Sequence, residues 1–518
     1  MSAVDPHNLA ETGEPQAGQF PRAALNRLWI VAAVLLAASA IPYVSSSFAD
    51  YRYWSRLDAS ALLRAVTLQP PPKEAVVLAE SGPPPDDGVE LAENALNQLA
   101  GVGTDGQKPI VLPAIVTEAA VPVLAGEGTA TAGAEILKVA DDALGEQKVW
   151  LSGPPQALAP FFRALVDLAN NKRPYVRIAH YGDSHTADDG ITHVARQLLQ
   201  RRFGDGGHGF TLVQGRTQWY SHKGIGRSAS EGWHMVNFLN GNAKDGAYGY
   251  GGVASEGGPG EWFNLDSGKS KISKFILYFR AYGKAAVSAR IDGKAAAALA
   301  VVAPAGVDAE KIWPVAEGTH SIQWLVTAGK IRLFGGAVER DRGVIYDSMG
   351  EVGARGTRWT LANAEHLKAV MAQRPPDLLI LNYGGNERTD KISETKYLDQ
   401  MGKVVERMRA GTQNADGSNR SACLILGPGD HGMREKGKII SEPDIIRINN
   451  WQKKLADSTG CAFFDAQAFM GGDGAMGRWV KQGLGWSDYS HFTGKGEQAM
   501  GVGLYRALLQ GLREYVKR

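Results

Sequence analysis

Hydrophobic positions change their spacing along the chain, and each change marks a different kind of segment. Residues 28–44 (LWIVAAVLLAASAIPYV) are almost unbroken in their apolar character and carry no charge, a length at the short end for a membrane span. Arg22 and Arg27 precede the stretch, while Arg52, Arg56 and Arg64 follow it, so the flanking charge does not fix the topology. We read residues 28–44 as a transmembrane anchor or signal segment, with the uncleaved anchor favoured, and residues 1–27 as a cytoplasmic segment. Beyond it, a helical-looking piece at 51–68 gives way to the proline-rich QPPPKEAVVLAESGPPPDDG. No steady period follows, which predicts a largely disordered linker over residues 45–148.

A period near 3.6 then sets in. Leu158, Phe161, Phe162, Leu165 and Leu168 fall on one helical face. The run PYVRIAHYGDSH reads as a buried strand closing in a glycine turn, and ITHVARQLLQRRFG reads as a helix. Strand, turn and helix in that order open a parallel α/β sheet. From about Gly206 to Val344 the pattern switches to short alternating runs ending in glycine, such as KFILYFRAYG and HSIQWLVTAG, as in a β-sandwich or jelly roll. The strand–helix pattern resumes at GVIYDSMGEVGARG, continues through DLLILNYG, ACLILGPGD and CAFFDA, and ends on a helix from Gly494. The expected plan is a doubly wound parallel sheet of order 2-1-3-4-5. Its first part is residues 149–205 and its second 344–518, interrupted by an all-β insert at 206–343.

Composition changes this picture little. The 518 residues are 44% hydrophobic and 21% charged, ordinary for folded domains. A formal charge of +2 argues against a nucleic-acid partner. Cys423 and Cys461 are the only cysteines. Each opens a predicted neighbouring strand, so one disulfide and two separate core thiols both remain open.

Candidate chemistry gathers at the predicted strand ends, where open α/β sheets keep their sites. Gly182-Asp183-Ser184-His185 places a serine at a strand-to-helix turn, where backbone N–H groups and the helix dipole favour negative charge. Ser184 there is a nucleophile if a base reaches it, and otherwise an N-cap. In Asp488-Tyr489-Ser490-His491, a carboxylate three residues ahead of a histidine can fold back onto Nδ1 and leave Nε2 as a base. The plainer reading is a capping aspartate beside a surface histidine. Asn386, in NYGGNE, and Gly353, in GEVGA, can each donate to an oxyanion or simply belong to ordinary turns. All four at successive strand ends, in this order, favour the catalytic alternative.

GDSH, the glycine of GEVGA, GGN and DYSH resemble blocks I, II, III and V of the SGNH (GDSL) hydrolases. That resemblance implies an SGNH-type, flavodoxin-like fold, Ser184 as nucleophile, Asp488 and His491 as its partners, and Ser184, Gly353 and Asn386 as the oxyanion hole. HYGDSHT and the β insert resemble a narrower group, the bacterial peptidoglycan O-acetylesterases, in which a carbohydrate-binding-like domain interrupts the catalytic domain. Glu387 departs from the aspartate that many members carry after the block III asparagine. The implied activity is a serine esterase removing O-acetyl groups from a cell-envelope polysaccharide, with no cofactor or metal. A polysaccharide O-acetyltransferase and a non-catalytic glycan binder are the alternatives. The expected partners are an acetylated glycan and the membrane, and the expected location is periplasmic or extracytoplasmic, anchored to the inner membrane.

Weaker candidates are His185, His193, Asp188 and Asp189, as metal ligands or loop residues, and His208, as a cleft residue. Trp219, Trp233, Trp262, Trp313 and Trp324 of the insert are sugar platforms or core. Asp430 and Asp465 are supporting residues or turn formers.

Overall fold

The computed structural model describes residues 130–139, 151–154, 156–213, 220–302, 307–414 and 416–518. The expected cytoplasmic segment, the apolar stretch at 28–44, most of the expected linker, and Trp219 lie outside them. Among the described residues no helix is long and apolar enough to cross a membrane. Part of the stretch read as linker is folded: Ala130–Leu137 is a helix (α1). Ile136 is buried in the main core, and the Arg202 guanidinium donates to the carbonyls of Ile136 and Lys138 at 2.9 Å each.

The central sheet is built from β1 (Leu151–Ser152), β2 (Tyr175–Gly182), β3 (Gly343–Gly350), β4 (Leu378–Asn382), β5 (Ala422–Leu426) and β6 (Ala462–Phe464). Its order is β1-β6-β5-β4-β2-β3. The five strands from β2 onward are parallel and follow the expected 2-1-3-4-5 order, and two-residue β1 adds an antiparallel edge on β6. LLILN and ACLIL are buried at every residue because the sheet is covered on both faces. Leu378, Ile380, Leu424 and Leu426 enter one core, with Phe161, Phe162 and Leu165 of the helix Ala159–Ala169 (α2). Leu379, Leu381, Cys423 and Ile425 enter the other, as the two-residue period of a strand requires. A disulfide joins Cys423 to Cys461.

The insert leaves the α/β part at Gly207–Thr211 and returns through the strand Ser321–Glu339, with which Gly207–Thr211 pairs. Among the described residues, nine strands of the insert form one hydrogen-bonded antiparallel network. The network is continuous because two strands, Ile272–Ile291 and Ser321–Glu339, pair along most of their lengths. Gly283 and Gly329 sit at positive φ along this pair, where the register slips. A Cβ at Gly329 would lie 2.1 Å from the Lys284 carbonyl oxygen, so the close approach there requires glycine.

Charged groups fasten the insert to the sheet. Arg374, 1% exposed, donates to both Asp347 carboxylate oxygens at 2.6 and 2.8 Å and pairs with Glu339 at 2.7 Å. Phe210, Tyr250 and Tyr278 of the insert surround its guanidinium at 5.6–5.9 Å. Asp347 also accepts from Phe210 N at 2.8 Å and from the Tyr250 hydroxyl at 3.1 Å. Both Asp347 oxygens thus accept two hydrogen bonds each, the kind of support a buried ion pair needs to be tolerated.

Candidate active site

β2 ends at Gly182, where a Cβ would lie 2.0 Å from Thr186 Oγ1, so the tight turn excludes a side chain. Asp183 caps the next helix by accepting from His185 N at 3.1 Å. That helix, Ser184–Ala187 (α3), is only four residues long, and a second, Gly190–Phe203 (α4), begins after a break. The strong dipole expected at Ser184 is therefore reduced to the local N–H groups of one turn.

The carboxyl ends of β3 and β4 close around this turn. Glu351 N donates to the Gly182 carbonyl at 3.1 Å, and Ala354 N to the Glu351 carbonyl at 2.9 Å, with Gly353 at φ +76° inside that turn. The Asn386 amide nitrogen donates to the Ala354 carbonyl at 3.0 Å and reaches Asp183 Oδ2 at 3.5 Å. Asn386 thus ties the turn bearing Gly353 to the turn bearing Ser184.

Before the final helix, Gly494–Val516 (α5), His491 Nδ1 and Asp488 Oδ2 lie 2.7 Å apart. Asp488 Oδ1 accepts from the backbone N–H of Ser490 and His491 at 2.9 and 3.1 Å. Burial works to raise the Asp488 carboxyl, but the His491 side chain and these two N–H groups outweigh it and hold it below its ordinary value. Tyr489, at φ +56°, lets the loop fold back on itself. Both side chains are about half exposed. The His185 ring stacks on His491 with centroids 5.6 Å apart and touches Phe492 at 4.7 Å. Ser184 therefore stands beside the pair through its neighbour, and no hydrogen bond between Ser184 Oγ and His491 is formed among the described residues. Such bonds often close only with substrate in place.

Two residues that sequence reasoning undervalued organise this edge. Glu387 is fully buried and accepts from Gly356 N at 2.6 Å and Gly384 N at 3.1 Å. Burial, with Asp183 nearby, pushes its carboxyl up to about 7. A lone carboxylate after an apolar strand was the available signal, since a buried one must be met by donors. His431, after β5, is buried with its ring 6.3 Å from that of His185, and with Asp183, His185 and Gly385 it lines a small cavity. Burial, aided by Arg388, drives its pKa well down.

Of the weaker candidates, His185 lies in this site, and the other histidines and aspartates are held by partners of their own. Asp189 pairs with Arg196 at 2.7 Å, Asp188 accepts from Gly190 N, and His193 meets Arg196 at 3.0 Å. Among the described residues no cluster of three or more His, Cys, Asp or Glu is arranged to hold a metal ion. His208 is not a cleft residue; it is buried against Ser270 at 2.7 Å and beside His222. Trp233, Trp313 and Trp324 are core at 2–6% exposure, and Trp262 is half-buried. Asp430 anchors Ser441, Gln467 and Met476 N, and Asp465 caps the helix Ala466–Met470.

With this geometry fixed, known proteins can be set beside it. No protein-family model and no curated protein sequence matches the chain. A solved peptidoglycan O-acetylesterase superposes over 70% of this chain and 99% of its own, with a TM-score of 0.59 and 22% identity. The chain shares the fold of that esterase. The expected fold, a parallel α/β sheet interrupted by an antiparallel β insert, thus holds. Looser matches include a Bacillus subtilis protein (TM-score 0.29, 14% identity, 56% of this chain and 90% of that one). Another is a family two carbohydrate esterase from Clostridium thermocellum, solved with cellohexaose (0.22, 10%, 54% and 97%).

Proposed function

We propose that the chain is a serine esterase that removes O-acetyl groups from a cell-envelope polysaccharide, peptidoglycan foremost. The observation that carries this reading is the Asp488–His491 pair, held at 2.7 Å on a loop whose histidine stacks against the residue after Ser184. His491 Nε2 takes the Ser184 proton as Oγ attacks the ester carbonyl, and Asp488 fixes the tautomer and steadies the imidazolium. The oxyanion is received by the N–H groups of Ser184 and Gly353 and by the Asn386 amide. The second Asn386 N–H, only loosely held at 3.5 Å from Asp183, is the one free to turn toward it. The sugar alkoxide leaves with the proton from His491, and water then cleaves the acetyl-enzyme. The half exposure of His491 and Asp488 supports water, rather than a second sugar, as the acceptor. The disulfide supports an oxidising, extracytoplasmic site of action, with residues 28–44 as the anchor.

The test is acetate release by the purified full chain from a chromogenic acetyl ester and from O-acetylated peptidoglycan, with Ser184→Ala as control. Release by the wild type alone is expected. Equal release by Ser184→Ala would remove Ser184 from the mechanism, and acetyl found on an added sugar would replace the esterase with a transferase.

A further inference from the structure

A side chain outside the proposed catalytic set belongs to the loop that carries Asp488 and His491. Trp486 is 58% exposed, and among the described residues no other Trp, Tyr or Phe is exposed. Tryptophan is ordinarily among the most heavily buried side chains, because water gains by shedding its large apolar faces. The indole sits two residues before Asp488, in the same loop as the catalytic pair. Its backbone is not loose: Trp486 N donates to the His491 carbonyl at 2.8 Å, and Tyr489 N donates to the Trp486 carbonyl at 3.0 Å. Gly485 and Phe492 form a β-bridge across the base of the loop. A hairpin of the strands Gly432–Glu435 and Lys438–Ser441 braces the other side, with Gly432 N on the Tyr489 carbonyl at 2.8 Å.

The chemistry around the ring selects its ligand. Gln482, Gly483, Ser487 and Asp488 are exposed beside it in sequence, so a single apolar face is set in polar, wetted surroundings. A protein-docking patch or a lipid surface would call for several contiguous apolar residues. A pyranose ring needs one flat apolar platform for its C–H face and water or polar groups for its hydroxyl edges. The insert does not offer such a platform in Trp233, Trp313 or Trp324, which are core.

We propose that Trp486 forms a saccharide subsite, stacking on a pyranose ring of the polysaccharide so that an acetyl ester on that ring or its neighbour reaches Ser184. This rests on the esterase reading given above. The site is rigidly coupled to the chemistry, because the loop that presents the indole also fixes His491.

The experiment compares Trp486→Ala and Trp486→Tyr with the wild-type full chain on O-acetylated peptidoglycan, on acetylated xylan and on the chromogenic acetyl ester. Trp486→Ala should raise KM on the hydrolysed polysaccharide about 10-fold or more, with kcat within about two-fold. Its effect on the small ester should be several-fold smaller, and Trp486→Tyr should recover most of the polysaccharide KM. Equal losses on polymer and small ester, or no loss on either, would overturn the subsite. A second arm measures co-sedimentation of the Ser184→Ala protein with insoluble peptidoglycan and xylan, with and without Trp486→Ala. Binding lost only with the indole supports the subsite even if the wild type proves to hydrolyse nothing, an outcome that would sink the esterase reading alone. Binding indifferent to Trp486, or absent from both polymers, overturns it.

Discussion

The parallel sheet and the β insert arrange their charged groups in opposite ways. In the insert, Arg332 closes on Asp245 and Glu256 at 2.7 and 2.6 Å, and Arg280 closes on Asp308 at 2.7 Å. His366, from the α/β part, completes the set at 2.7 Å from Asp308. Each charge there meets a partner, and the side chains join the insert to its neighbour. At the carboxyl edge of β2, β3 and β4 the polar groups are only partly met. The Asn386 amide has one good acceptor and one distant one, and His491 has a carboxylate on one nitrogen and solvent on its other side. The insert's charges close on one another, and what capacity it leaves over is buried, as at Asn237 Nδ2 and Trp324 Nε1, whereas the Asp488–His491 pair keeps its spare capacity toward solvent.

That contrast can be broken most forcefully at Arg374. Arg374→Ala strands Asp347 and Glu339 in the interior and should cost about 3–5 kcal/mol in urea unfolding. Arg374→Met should cost clearly less, because its chain fills the space. A loss under about 1 kcal/mol for the alanine variant would mean that the insert is not fastened by this cluster. Asn386→Ala tests the other side. It should lower kcat about 10²–10³-fold, equivalent to about 3–4 kcal/mol, while leaving the melting temperature nearly unchanged. A large stability loss instead would make Asn386 a structural tie between turns.

Glu387 lies between the two behaviours, a buried carboxylate with donors but no cation. Its carboxyl is raised, so between pH about 4.5 and about 7 the folded state holds a proton that the unfolded chain has released. Stability therefore falls as pH rises through that window, by about 3 kcal/mol. Glu387→Gln should remove this component, and identical pH profiles for the two proteins would contradict it. The smallest effect is expected in the insert. Trp313→Phe loses the indole bond to the Ala297 carbonyl, at 2.8 Å, and should cost about 1–2 kcal/mol without changing polysaccharide hydrolysis.

What was legible in the sequence followed from local rules. Unbroken apolar runs such as LLILN, alternating with segments of helical period, fit strands covered on both faces by helices, as in a parallel sheet. Asp488 and His491 are three residues apart, so their contact follows from one turn of chain. The rest depends on distant partners. Arg374 meets Asp347 across 27 residues and Tyr278 across 96, and no period records such a meeting. The insert tryptophans and Trp486 look alike in sequence, and only tertiary packing separates buried rings from the exposed one. Likewise, the sequence suggested one helix after Ser184, and the break near Asp189 exists because that carboxylate turns inward to Arg196.

The Cys423–Cys461 bond has a consequence for how the molecule comes into being. Cys423 is the second residue of β5 and Cys461 immediately precedes β6, so the staple lies at the amino ends of the strands, away from the edge that holds Ser184 and His491. It closes a 38-residue span that includes His431 and the hairpin bracing the Trp486 loop. Both sulfurs are sealed from solvent, so a reductant reaches them only when the sheet opens. A newly made chain must meet an oxidant before these strands close over the thiols. Oxidative folding, rather than any reacting group, then ties the maturation of the molecule to the compartment in which it first folds.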